Sequence, residues 1–274
     1  MKHTYYYVGI VATLIFIFFN FVACGAQFYK LSLEDDISHE LIGSNDPNSE
    51  YYGIHTLHGW GANIPMHYQS DPTISQDQLR QIQAGMKTWE FVTGKKLFQY
   101  DGVHANTTGD SFPDLYSSLK DQINGNYFDE NWNKTGKSDQ VLATTIWTNN
   151  RDQSLITACD IRYNISKYIL GDSLVISSTP DKEVVDLQSL ATHELGHLLG
   201  LSHVDESYDP NSIMKATVFI GEGLISRKVS ALDIARIQKL YGCEGQACDI
   251  DALVEKIEYN YEMNHEDFSL ISSN

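Results

Sequence analysis

An α+β layered domain is the architecture this sequence predicts, and three observations carry it. Short runs rich in β-branched residues, such as 141–147 (VLATTIW), have strand length. They alternate with longer segments whose apolar residues recur at helical spacing. Those segments open on Ser or Asp and close on Gly, the usual start and stop signals of helices. Helices on one side or end of a mixed, twisted sheet fit that pattern.

The two ends of the 274-residue chain differ from its middle. Residues 1–24 carry Lys2 and then an apolar run from Val8 to Val22, interrupted by Thr13 and Asn20. That run is short for a membrane span and suits a cleaved export signal. It ends in Phe21-Val22-Ala23-Cys24-Gly25, which resembles a bacterial lipobox. The resemblance implies a lipid on Cys24 as the single membrane attachment. Plain secretion and an uncleaved anchor remain open alternatives. Residues 25–58 are polar and acidic and read as a linker or short leader. The domain is expected over 59–242.

Within it, residues 64–68 read as a first strand, with Pro65 suggesting an edge position. Ser75 opens a helix with Gln78 three residues on, a capping-box pair. Leu79, Ile82, Met86 and Trp89 give that helix its apolar stripe, and Gly94 is placed to end it. Residues 101–140 are rich in Gly, Asn, Asp and Ser, with a short helix suggested by Leu115, Tyr116, Leu119 and Ile123. Strands are expected at 141–147, 155–163 and 174–177. Asp186 can cap a helix over 187–199, and Ser230 with Asp233 can cap a closing helix that stops at Gly242. Residues 243–274 form an acidic tail with eight carboxylate residues against one lysine. Ile250, Leu253, Val254, Ile257 and Tyr261 fit an amphipathic helix that could dock on the domain, the plainer reading, or on a partner.

The formal charge of −17 and the absence of a basic cluster exclude a nucleic-acid partner, whose phosphates would be repelled. The four cysteines are Cys24, Cys159, Cys243 and Cys248. Export would place them where disulfides persist. Cys243 with Cys248 is the most economical pair, and pairing of Cys159 with either one stays open.

The chemistry concentrates in residues 193–203, HELGHLLGLSH. Positions four apart share a helix face, so His193 and His197 can grip one ion from one side. Gly200 can take a positive φ, stop the helix and turn the chain back. His203 then reaches the same ion from a third direction. Three imidazoles around Zn2+ leave a fourth position open, the pattern of a catalytic centre with one ion. Glu194 follows the first ligand, where its carboxylate can take a proton from water there.

This segment resembles the metzincin signature of zinc peptidases, HExxHxxGxxH, at every fixed position. Met214, eleven residues after His203, stands where that family has its methionine turn. VDLQSLATHELGHLLGLSH, SALDIARIQKLYG and IPMHYQSD are similar to the matrixin branch. The resemblance implies a metzincin fold, a mixed twisted sheet with an active-site helix and a C-terminal helix. It also implies a metalloendopeptidase with polypeptide substrates. Val204 stands where matrixins usually carry Ser or Thr, and Lys215-Ala216-Thr217 replaces the residues that wall the main specificity pocket in animal members. No His lies between Asp160 and Thr192, so a second, structural zinc is not expected. Calcium, common in such relatives, finds no ligand set in the scattered Asp residues. The alternative function is a non-catalytic surface lipoprotein that keeps the zinc-bound fold as a scaffold. Oligomeric state is not legible.

Overall fold

The active-site helix lies across a five-stranded sheet, and most of the chain serves to hold it there. The computed structural model describes residues 22–23, 44, 46–104 and 123–264, with side chains to 259. Five strands form the sheet: β1 (Met66–Ser70), β2 (Phe98–Val103), β3 (Asn124–Asp129), β4 (Ala143–Asn149) and β5 (Ile156–Asn164). Their order is β2-β1-β3-β5-β4. All neighbours run parallel except β4, which is antiparallel to β5 and ends the sheet. A parallel two-stranded ladder, β6 (Tyr168–Gly171) and β7 (Glu183–Asp186), follows. The helices are α1 (Gln76–Thr93), α2 (Leu187–Leu198), α3 (Ala231–Tyr241) and α4 (Ile250–Asn264).

Capping chemistry sets the helix boundaries. Ser75 and Gln78 form the reciprocal box that opens α1, and Gly94 closes it in the left-handed region at φ 69°. Ser230 and Asp233 do the same for α3. The apolar stripe of α1 buries Leu79, Ile82, Met86 and Trp89. At Gly85 the helices nearly touch: a Cβ would stand 3.0 Å from the Thr192 nitrogen of α2. The Trp89 indole donates to the Thr192 carbonyl at 2.9 Å beside it. The mixed sheet with helices is the expected α+β architecture.

Several local expectations need correction. Residues 174–177 are not a strand. Leu174 and Val175 are 48% and 79% exposed, and the ladder there is formed by β6 and β7 on either side. The first strand is not an edge strand. It begins at Met66, after Pro65, and lies between β2 and β3, so the missing proline N–H removes no ladder bond. Strands β2 and β3 went unrecognised. Asn124-Gly125-Asn126 reads as a turn, yet β1 and β5 pair with it from both sides. Of the short helix suggested over 115–123, all but Ile123 lies outside the described residues.

Residues 46–58, within the expected linker or short leader, pack on the domain. Tyr52, Ile54 and Thr56 are buried, and Ile54 bridges Leu201 antiparallel. At the other end, Cys243 and Cys248 are joined in a disulfide with Cα atoms 5.2 Å apart, while Cys159 is a buried free thiol. Helix α4 buries Leu253 and Ile257 against the domain, the docked arrangement expected for the tail. No helix among the described residues is long and apolar enough to cross a membrane. The signal and lipobox residues lie outside the described residues, apart from Val22–Ala23, which pair antiparallel with Thr217–Val218.

Candidate metal centre

Helix α2 follows β7 without a break. Asp186 ends the strand and caps the helix, its carboxylate accepting from Ser189 N at 2.9 Å and from Ser189 Oγ at 2.6 Å. The same carboxylate accepts from Arg227 Nε at 2.9 Å and Nη2 at 2.5 Å. Arg227 thereby ties the segment after Met214 to the start of the helix, and Ser226 N donating to Ser189 Oγ at 2.7 Å adds a second tie. At the other end, Gly200 has φ +104°, and His197 Nδ1 lies 2.9 Å from the Leu201 carbonyl beyond the turn. The turn brings His203 back over the helix.

His193, His197 and His203 meet at their Nε2 atoms, separated by 3.0, 3.1 and 3.2 Å. Among the described residues they are the one group of three donors placed to hold an ion. The Nδ1 of His193 lies 2.7 Å from the Ile213 carbonyl, and that of His197 faces Leu201, so in both rings Nδ1 carries the proton. Their Nε2 lone pairs therefore point inward at one another with no proton between them, an arrangement that a cation resolves. Four-coordinate zinc with Zn–N near 2.0–2.1 Å sets its ligand nitrogens about 3.3 Å apart, close to what is seen. Burial, then the neighbouring His193 and His203, hold His197 well below the usual histidine range. Burial, then His193, bring His203 to about 3. Neutral imidazole is the ligating form. The residues present fit zinc.

Glu194 is fully buried on the same turn, and its carboxylate Oε2 accepts from Thr145 Oγ1 of β4 at 2.6 Å. Met214 is buried beneath the helix, its thioether against Gly196, where an added Cβ would stand 2.4 Å from Sδ. That contact explains the small residue inside the motif. The methionine turn is in turn held by Asp233, which accepts from Ser212 Oγ at 2.6 Å and from Ile213 N at 2.9 Å. Sequence reasoning saw Asp233 only as a helix cap; its second duty had no local signal. The same holds for Arg227 and Thr145. Val204 is buried, bridges Lys215 and packs towards Gly53, so the apolar side chain here faces the folded leader.

A three-histidine centre on a helix and the turn that follows it, beside a strand that ends the sheet among the described residues and above a methionine turn, defines a metzincin-type peptidase site. The matrixin family model matches residues 67–242. The chain belongs to the matrixin family, a family of zinc metalloendopeptidases. It is similar to human matrilysin, with 52% identity over 52 residues, which is 19% of this chain and 18% of that protein. The aligned stretch thus spans less than a fifth of that relative. Among solved structures it matches high choriolytic enzyme 1, a hatching enzyme zinc-protease from Oryzias latipes (Medaka fish). That match has 13% identity and a TM-score of 0.32, and covers 77% of this chain and 99% of the other.

Proposed function

We propose that this protein is an exported zinc endopeptidase, held at the outer surface through a lipid on Cys24 or secreted, that hydrolyses peptide bonds in polypeptide substrates. The observation that carries the reading is the convergence of three Nε2 atoms beside a buried glutamate on one helix. When bound, zinc supplies a Lewis acid that polarises a carbonyl and brings the pKa of coordinated water to about 7. Glu194 takes the proton of the attacking water and then passes it to the departing amide nitrogen. Strand β4 ends the sheet, and among the described residues its outer edge pairs with no other strand. An extended peptide can add there through backbone hydrogen bonds. Met214 floors the site as a packing residue. The export signal of residues 1–24 supports an extracytoplasmic location, and the Cys243–Cys248 disulfide agrees with an oxidising compartment.

Glu194→Ala removes the base and leaves all three imidazoles. It should retain zinc at the wild-type level and lose casein hydrolysis by at least about 100-fold. A variant that cleaves casein at the wild-type rate would refute the role given to Glu194.

A further inference from the structure

We infer that Thr145 is a positioning residue for the general base, an inference that rests on the endopeptidase reading above. Thr145 is the third residue of β4, opposite Ile161 of β5, and is fully buried. Its Oγ1 donates to Glu194 Oε2 at 2.6 Å and lies 3.2 Å from the Glu194 carbonyl oxygen. Strand propensity and apolar packing would be met equally well by Val at this position, which has the same shape without the hydroxyl. A buried hydroxyl needs a partner, and here that partner is the one carboxylate on the metal-binding turn.

The consequence concerns geometry. The terminal torsion of a glutamate is broad, so the plane of an unrestrained carboxylate is poorly defined. The short hydrogen bond from Thr145 Oγ1 to Glu194 Oε2 fixes that plane. Because Thr145 sits on the strand where peptide is expected to add, the strand that positions the scissile bond also aims the base. The bond acts on the orientation of Glu194 and on no substrate atom. Its loss should therefore fall on kcat more than on KM.

The test measures kcat and KM on a fluorogenic peptide, together with zinc per chain, for the wild type, Thr145→Val, Thr145→Ser and Thr145→Ala. Thr145→Val should lower kcat by about 10- to 100-fold with KM changed by less than about twofold and zinc unchanged. Thr145→Ser restores the hydroxyl and should stay within about threefold of wild type. Should the valine variant fail to fold, Thr145→Ala carries the same expectation. A valine or alanine variant with wild-type kcat overturns the inference, and so does a serine variant as slow as the others, which would show a role of shape alone. A wild type whose peptide cleavage Glu194→Ala leaves intact counts against the endopeptidase reading itself, and Thr145 falls with it.

Discussion

His55 shows how much a single residue outside the motif bears on the centre. It lies in the folded leader, its backbone N–H donating to the Gly200 carbonyl at 2.7 Å and its ring 4.3 Å from that of Trp147. Burial lowers its pKa to about 4 from the ordinary 6.5. A histidine depressed in the folded state costs nothing above about pH 6.5. Below that the unfolded ring takes a proton that the folded ring refuses, and stability falls until about pH 4. The loss is on the order of 3 kcal/mol for this ring. His55→Phe keeps an aromatic ring on Trp147 and should remove that part of the slope. Urea unfolding at pH 7 and pH 4.5, with chelator present in every sample, should show the variant losing less stability than wild type. Parallel losses would contradict the assignment. None of this was legible from sequence: the run Gly53-Ile54-His55-Thr56 is weakly periodic, and its burial depends on the turn at Gly200.

At the scale of elements, α2 is anchored at both ends by groups from distant parts of the chain. Its start is held by Asp186 and Arg227. Its last carbonyls are covered by the Trp60 indole, donating to Leu198 O at 2.8 Å, and by the Tyr241 hydroxyl, donating to Leu199 O at 2.7 Å. That hydroxyl also accepts from Trp60 N at 3.2 Å. Tyr241→Phe leaves a buried carbonyl and a buried N–H without this partner, at a cost of about 1–3 kcal/mol. The midpoint of urea unfolding should drop with the slope unchanged, and an unchanged midpoint would sink the anchoring role. The caps themselves were readable, because Ser75, Asp186 and Ser230 act on backbone three residues away. So was the metal-binding helix, on which His193 and His197 share one local period. Strand β3 was not. Asn124-Gly125-Asn126 has turn composition, and only its place between β1 and β5 makes it a strand. Residues 174–177 failed in the opposite direction, apolar in composition and yet exposed.

For the molecule as a whole, residues 46–58 and the described part of the tail both pack on the domain. Residues 46–58 back the loop that carries His203, with Ser202 N donating to Gly53 O at 2.9 Å and Asp205 N to the Tyr52 hydroxyl at 2.7 Å. The tail docks at the far side through the Cys243–Cys248 turn and α4, where Lys228 pairs with Glu258 at 2.7 Å. Such packing joins segments far apart in sequence, which is why residues 46–58 read as part of a linker or short leader while the tail's amphipathic stripe gave its docking away. The candidate ligands and base were legible because one contiguous motif encodes them, and the methionine turn because it follows that motif at the family's spacing. The side chains that hydrogen-bond to the active-site helix and this turn, Thr145, Arg227 and Asp233, come from other elements and became visible only in the folded chain.

If the folded domain hydrolyses peptides through one zinc ion and Glu194, activity should follow the metal as it is removed and returned stepwise. Wild type stripped with 1,10-phenanthroline and dialysed should lose casein cleavage. Added zinc should restore it in proportion, reaching full rate at about one ion per chain, while Glu194→Ala takes up the same zinc and stays inactive. Full cleavage by the stripped, metal-free chain, or by Glu194→Ala carrying its zinc, would contradict the account.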